Sequence, residues 1–177
     1  MSNNLQPAKP EDQIGMVVYL QLLGKIVWPA TMTRPDVAME VSSLTSFSHC
    51  AGQEHYNWGL WVVGYLVKTK SLGITYGGKL KMPYGLSSAP PFFNESSGLY
   101  IAHDNSFGTR PRPLGGFVIM YCNGAIGWSS KNLKVVPESS NAAEMAIGSR
   151  ASNEGIFARG RLKANGRPVA GPTATLT

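Results

Sequence analysis

Cysteine is scarce in this 177-residue sequence: only Cys50 and Cys122 occur, in no metal-ligand spacing. That excludes a disulfide-built scaffold and a cysteine-ligated zinc site, and makes a reducing compartment the simplest reading. Charge is also thin, at 15% of residues, against about a quarter in ordinary globular domains. With 43% hydrophobic residues and four tryptophans, so few charges exclude a disordered tail. Long apolar runs are missing. The longest, Trp58 to Val67, falls far short of the ~20 residues that span a bilayer. The first thirteen residues carry Glu11 and Asp12 and no apolar core, so they are not a signal peptide. Twenty glycines and twelve prolines are too few for the ~25–30% typical of low-complexity chain. What remains is one ordinary domain or two small ones.

Acidic residues are missing from one half of the chain in particular. Residues 1–105 hold seven Lys/Arg and seven Asp/Glu, which cancel. Residues 106–177 hold nine Lys/Arg against only Glu138, Glu144 and Glu154, so the whole +6 sits there. A basic segment suits a polyanion such as nucleic acid; the plainer alternative is a soluble surface with few acids.

The pattern changes character along the chain. After a polar lead-in over 1–13, apolar residues recur at helical spacing from Ile14 to Val27. They predict a helix ending near Trp28-Pro29, since proline cannot continue it. A second helix is expected from Asp36 to about Cys50, and a third from about Gln53 to Lys70, weakened by Gly59 and Gly64. Trp28, Trp58 and Trp61 fall on helical faces and are expected in a core. Leu72, Ile74 and Tyr76 alternate like a strand. Residues 79–96, with Pro83, Pro90 and Pro91, read as a linker. Strands are then expected at 99–102, 116–121 and 125–128, the last two joined by a turn at Cys122-Asn123-Gly124. Ser139 or Ser140 caps a helix running to about Arg161, and residues 171–177 read as a final strand. The expected fold class is therefore α/β (α+β mixed): a helical segment over 14–78, then a mixed sheet with a flanking helix over 97–177.

Two acids stand out in the second half. Asp104 ends a strand, and Glu144 lies in the first turns of the following helix. If that helix packs across a central strand, its start approaches the end of the strand. Two carboxylates converging there suit a divalent ion, because Mg²⁺ takes oxygen ligands. The alternative is structural: Asp104 as a turn former and Glu144 as a charge favoured by the helix dipole. His103 beside Asp104 could tune such a site; the plainer reading is a partly exposed strand-end histidine. Gly115-Gly116 lacks the lysine of a phosphate loop, and Ser129-Ser130 lacks a neighbouring base.

Two blocks resemble the Pol polyprotein of Copia-type LTR retrotransposons. Leu22-Leu23-Gly24, Thr33-Arg34-Pro35-Asp36-Val37, His55 with Trp58, and Leu72-Gly73-Ile74-Thr75-Tyr76 resemble the family's reverse transcriptase thumb and connection. Asp104-Asn105-Ser106-Phe107-Gly108, Gly127-Trp128-Ser129-Ser130-Lys131 and Ser139-Ser140-Asn141-Ala142-Ala143-Glu144 resemble its ribonuclease H domain. The resemblance implies a ribonuclease H fold and Mg²⁺-dependent (or Mn²⁺-dependent) cleavage of the RNA strand in RNA–DNA hybrids. By position, Asp104 and Glu144 would be the catalytic, metal-ligating carboxylates, and Arg110, Arg112 and Lys131 are candidate phosphate contacts. The implied partners are an RNA–DNA hybrid and the rest of a Pol polyprotein, with no membrane. The implied location is a cytoplasmic virus-like particle or the nucleus, without secretion.

The departures from the family are as specific as the matches. Its third metal-binding aspartate should directly follow the strand that ends at Leu176-Thr177, and its fourth acid lies beyond that. Ala142 stands where the family often has a further acid. No Asp-Asp pair of a polymerase palm occurs. The expectation is thus an incomplete, C-terminally truncated ribonuclease H-like domain. Its alternatives are a catalytically dead nucleic-acid-binding fragment and a decayed transposon relic.

Overall fold

A computed structural model describes residues 5–77, 98–106, 113–134 and 136–177. The chain divides into two compact units, residues 1–73 with 130–132, and residues 74–129 with 133–177. The linker expected at 79–96 lies outside the described residues.

The first unit is helical. Helix α1 spans Met16–Met32, α2 spans Ala38–Thr45 after a 3-10 turn at Pro35–Val37, and α3 spans Gln53–Lys68. Tyr19, Leu23, Ile26, Ala30, Val37, Val41, Leu44, Ala51 and Val62 form its core. The Tyr19 hydroxyl, fully buried, donates to the Leu44 carbonyl oxygen at 2.9 Å, so no polar atom is stranded there; burial pushes the phenol well above its ordinary pKa. Gly59 is explained by packing: a Cβ at this position would press into Leu22 of α1. Gly64 faces open space and has no such reason.

Helix α1 does not stop at Pro29 but continues one turn further. Proline removes one donor and crowds the preceding turn. Here the Thr31 hydroxyl bonds the Val27 and Trp28 carbonyl oxygens, at 2.9 and 3.1 Å. Ala30 is buried in the core, so tertiary packing carries the extra turn. The second helix is shorter than its periodicity suggested, dissolving into turns after Thr45. Trp28 and Trp61 correct another expectation: they are 65% and 56% exposed. The stripe of α3 that packs inward is His55, Gly59 and Val62, and this leaves Trp58, Trp61 and Tyr65 stacked on one another along its flank.

Arg34, buried despite its charge, ties this unit together. Its guanidinium grips both Asp36 oxygens, at 2.9 and 2.7 Å. It also donates to the Thr69 carbonyl at 3.2 Å and hydroxyl at 2.7 Å, just past the C-terminus of α3. Tyr65 donates to the same Asp36 carboxylate at 3.1 Å.

The second unit is a four-stranded mixed sheet with one long helix. The strands are β1 (Tyr100–Asn105), β2 (Leu114–Tyr121), β3 (Gly124–Asn132) and β4 (Ala174–Leu176), in the order β3-β2-β1-β4. β1 runs antiparallel to β2, with Asp104 opposite Gly116, and parallel to β4, with Tyr100 opposite Ala174. A two-residue turn joins β2 to β3, and both its residues, Cys122 (φ 48°) and Asn123 (φ 68°), are left-handed. That is the type I′ geometry that matches strand twist. It sits one residue earlier than an Asn-Gly turn would.

Residues 72–77 are not a strand. Their backbone joins no ladder; instead Tyr76 lies against Gly124 and donates to the Ala125 carbonyl at 2.7 Å. Gly77 N–H donates to the Cys122 carbonyl at 2.7 Å. Helix α4 spans Ser140–Ala164, with Ser139 as its N-cap accepting from the Ala142 N–H at 3.2 Å. Ala143, Ile147, Ala151 and Gly155, each four apart, form its buried stripe. They close over Leu99, Ile101, Phe117 and Ile119 of the sheet.

Candidate metal and nucleic-acid site

The direction of α4 across β1 decides which residues meet. A Cβ on Gly155 would overlap the Ile101 side chain, and one on Gly148 would sit 3.2 Å from Cε1 and Nε2 of His103. As the strand advances from 101 to 103, its contacts on the helix move back from 155 to 148. The two therefore run antiparallel, and Glu144, one turn before Gly148, lies towards the Asp104 end of β1. The expected approach of helix start to strand end is present in the fold.

His103 feels the charge of both acids. Pleat alternation puts Leu99, Ile101 and His103 on the helix-facing side, and His103 is only 8% exposed. This corrects the expectation of a partly exposed histidine, and the parity of Leu99 and Ile101 was the signal for it. Burial pushes the imidazole pKa down, while the charges of Glu144 and Asp104 pull it up; burial wins. Its Nδ1 is buried without a hydrogen-bond partner.

Asp104 lies on the opposite pleat from His103 and is exposed. Its Oδ1 accepts from the Asn105 N–H at 2.7 Å, which fixes the carboxylate at the strand end. Glu144 is half-buried on α4. Among the described residues no group of three or more His, Cys, Asp or Glu gathers as a metal cage. The two acids towards this end of the unit are Asp104 on β1 and Glu144 on α4. Mg²⁺ commonly takes one or two carboxylates and completes its shell with water and substrate phosphate.

Lys131 is exposed in β3. Arg110 and Arg112 lie outside the described residues. Arg150, not singled out from sequence, is used internally: it donates to Ser129 Oγ at 3.0 Å and lies over the Phe117 ring. No described helix is long and apolar enough to cross a membrane.

Sheet order, the parallel β1–β4 pair and the packed α4 make the second unit a mixed α+β fold, consistent with a ribonuclease H-like one. Comparison with known proteins gives relatives from transposons. The chain is 26% identical over 159 residues to the retrovirus-related Pol polyprotein from transposon TNT 1-94 of Nicotiana tabacum, covering 89% of this chain and 11% of that protein. It is 30% identical over 129 residues to a putative transposon Ty5-1 protein of Saccharomyces cerevisiae, covering 71% of this chain and 37% of the relative. A secreted RxLR effector protein 161 of Plasmopara viticola is 27% identical over 143 residues, covering 80% of this chain and 91% of that protein. No protein-family profile and no solved structure matches. Most of the chain is thus similar to a stretch of retrotransposon Pol polyproteins, and it spans well under half the length of those two relatives.

Proposed function

We propose that the second unit is a Copia-type ribonuclease H domain that acts on the RNA strand of RNA–DNA hybrids, and that the first unit is the preceding thumb and connection segment. One observation supports this reading: α4 runs antiparallel to β1, so the start of the helix lies towards the strand end that holds Asp104. Asp104 and Glu144 would hold Mg²⁺, with Mn²⁺ as the alternative. When bound, the ion supplies Lewis acidity to the scissile phosphate and acidifies a water.

The chain's own residues do the rest. The bond from Asn105 N–H keeps the Asp104 carboxylate at the strand end. Neutral His103 fills the space beneath the helix beside Glu144 without adding a competing cation. Lys131 offers a phosphate contact from β3, and the RNA strand is distinguished by its 2′-hydroxyls.

A second reading, hybrid binding without cleavage, is favoured because among the described residues no group of three or more His, Cys, Asp or Glu gathers. The same experiment separates the two. Purified chain is mixed with a labelled RNA–DNA hybrid, with and without Mg²⁺. Metal-dependent cleavage that disappears in Asp104→Asn and Glu144→Gln supports the nuclease. Metal-strengthened binding without cleavage supports the second reading. Binding indifferent to metal and to both substitutions refutes the site.

A further inference from the structure

We infer that the outer face of the last two turns of α4 docks a single strand of RNA or DNA, with a base stacked on Phe157 and phosphates held by Arg161, Lys163 and Arg167. The inference rests on reading the second unit as a nucleic-acid-handling fold, and adds a face that the Asp104–Glu144 site does not use.

Phe157 is 64% exposed, and Ile156 beside it is 69% exposed. The Arg161 guanidinium lies 5.8 Å from the Phe157 ring centroid, a cation–π pair that holds the ring as a platform. Gly160, one turn on, has no atom within 4 Å of where a Cβ would stand, so the floor beside the ring is open. Arg161, Lys163 and Arg167 are all exposed.

The charge is one-sided. Residues 155–177 contain four cations and no Asp or Glu. Only Arg159 is committed inward, donating to Thr173 Oγ1 at 2.7 Å and the Val169 carbonyl at 2.9 Å. Helix-dipole complementarity accounts for cations in a last turn. It does not account for an exposed phenyl ring under one of them, or for Arg167 beyond the helix. An aromatic platform flanked by exposed cations is how sequence-tolerant single-strand binders are built. A duplex keeps its bases stacked internally and has no use for the ring, so the occupant is single-stranded.

The test measures fluorescence anisotropy of the full chain with labelled dT12 and rU12, in EDTA, across a salt series. Phe157→Ala is expected to weaken binding about tenfold, the effect of losing one base stack, and Phe157→Trp to preserve it. Arg161→Gln with Lys163→Gln should reduce the salt slope by about 1.4, at ~0.7 per lost phosphate contact on a single strand. Asp104→Asn should bind the strands as well as the parent does. Circular dichroism of each variant checks that the exposed substitutions leave the fold intact. No binding of either strand, or binding unmoved by Phe157→Ala, overturns the inference. So does binding to phosphatidylserine vesicles that the oligonucleotides fail to displace, which would make the face a lipid contact. Hybrid cleavage lost in Asp104→Asn with strand binding intact reports on the carboxylate site alone, so the two readings fail separately.

Discussion

Arg34 offers the sharpest test of what holds the helical unit together. Its side chain is 8% exposed, and its partner Asp36 30% exposed. Two of its four hydrogen bonds form a fork on the carboxylate, and two reach Thr69. Breaking a fully buried pair costs about 3–5 kcal/mol. Asp36 is nearly a third exposed, so water partly rehydrates the stranded carboxylate, and Tyr65 still donates to it. Arg34→Ala should therefore cost about 2–3 kcal/mol, below the fully buried figure. In a unit of some 70 residues that lowers the melting temperature by about 10–20 °C. Arg34→Lys should recover less than half, because an ammonium does not reproduce the fork or reach Thr69 in the same geometry. The double change Arg34→Ala, Asp36→Asn should be less destabilising than the sum of the two singles, since each removes the same interaction. Tryptophan fluorescence in a urea titration is the assay: three of the four tryptophans, Trp28, Trp58 and Trp61, lie in this unit. Arg34→Ala within 0.5 kcal/mol of the parent, a change ordinary for an uninvolved surface residue, or full rescue by lysine, would refute the organising role of the guanidinium.

Other consequences follow from single contacts. His55 accepts the Gly52 N–H on Nδ1 at 3.1 Å, its Nε2 is buried without a partner, and burial holds its pKa below the ordinary 6.5. The unfolded chain therefore takes up this proton first. Stability should be complete above about pH 6.5 and fall as the pH drops towards the depressed folded value, by up to ~1.4 kcal/mol per pH unit; His55→Gln, which keeps an acceptor, should flatten that slope in melts from pH 7.5 to 5. Cys122→Asn should stabilise the β2–β3 turn by about 0.5–1 kcal/mol, because asparagine tolerates the left-handed conformation better; a lower melting temperature would count against the turn geometry. Gly155→Ala should cost about 1–3 kcal/mol by overpacking against Ile101. Gly160→Ala, in open space on the same helix, should gain about 0.5–1 kcal/mol from helix propensity. Equal effects of the two glycine substitutions would contradict the packing described.

The sheet and its helix were legible because each signal was local and redundant. Alternation from Leu99, the turn at Cys122-Asn123 and the Ser139 cap each fix one element without help from distant chain. Where expectations failed, distant groups had the deciding vote. Periodicity alone does not reveal that Thr31 hydroxyl bonds and a buried Ala30 carry α1 past Pro29. Nor does it reveal that Tyr76 spends its alternating segment on the β2–β3 turn instead of in a ladder. The exposure of Trp61 and Trp28 has a related cause. Helical spacing identifies a face, but which face turns inward depended on Gly59 letting Leu22 close against α3. His103 shares the parity of Leu99 and Ile101, so the alternation that marks the strand also marks the histidine's buried side.

The placement of Glu144 depends on residues that carry no chemistry at all. The stripe of α4 over β1 consists of Ala143, Ile147, Ala151 and Gly155, with Gly148 against the His103 ring. Small residues let the helix axis come close to the strand, and in the proposed site that closeness sets where Glu144 stands relative to Asp104. Gly155 and Glu144 are eleven residues apart, about 16 Å along the helix. A side chain forced in at Gly155 lifts one end of a rigid rod, and the other end carries the acid. Site and core are therefore coupled through helix tilt. Substitutions at Gly148 or Gly155 should impair any metal dependence of hybrid binding while leaving both carboxylates in the sequence, an effect that conservative changes at the exposed Met145 should not share.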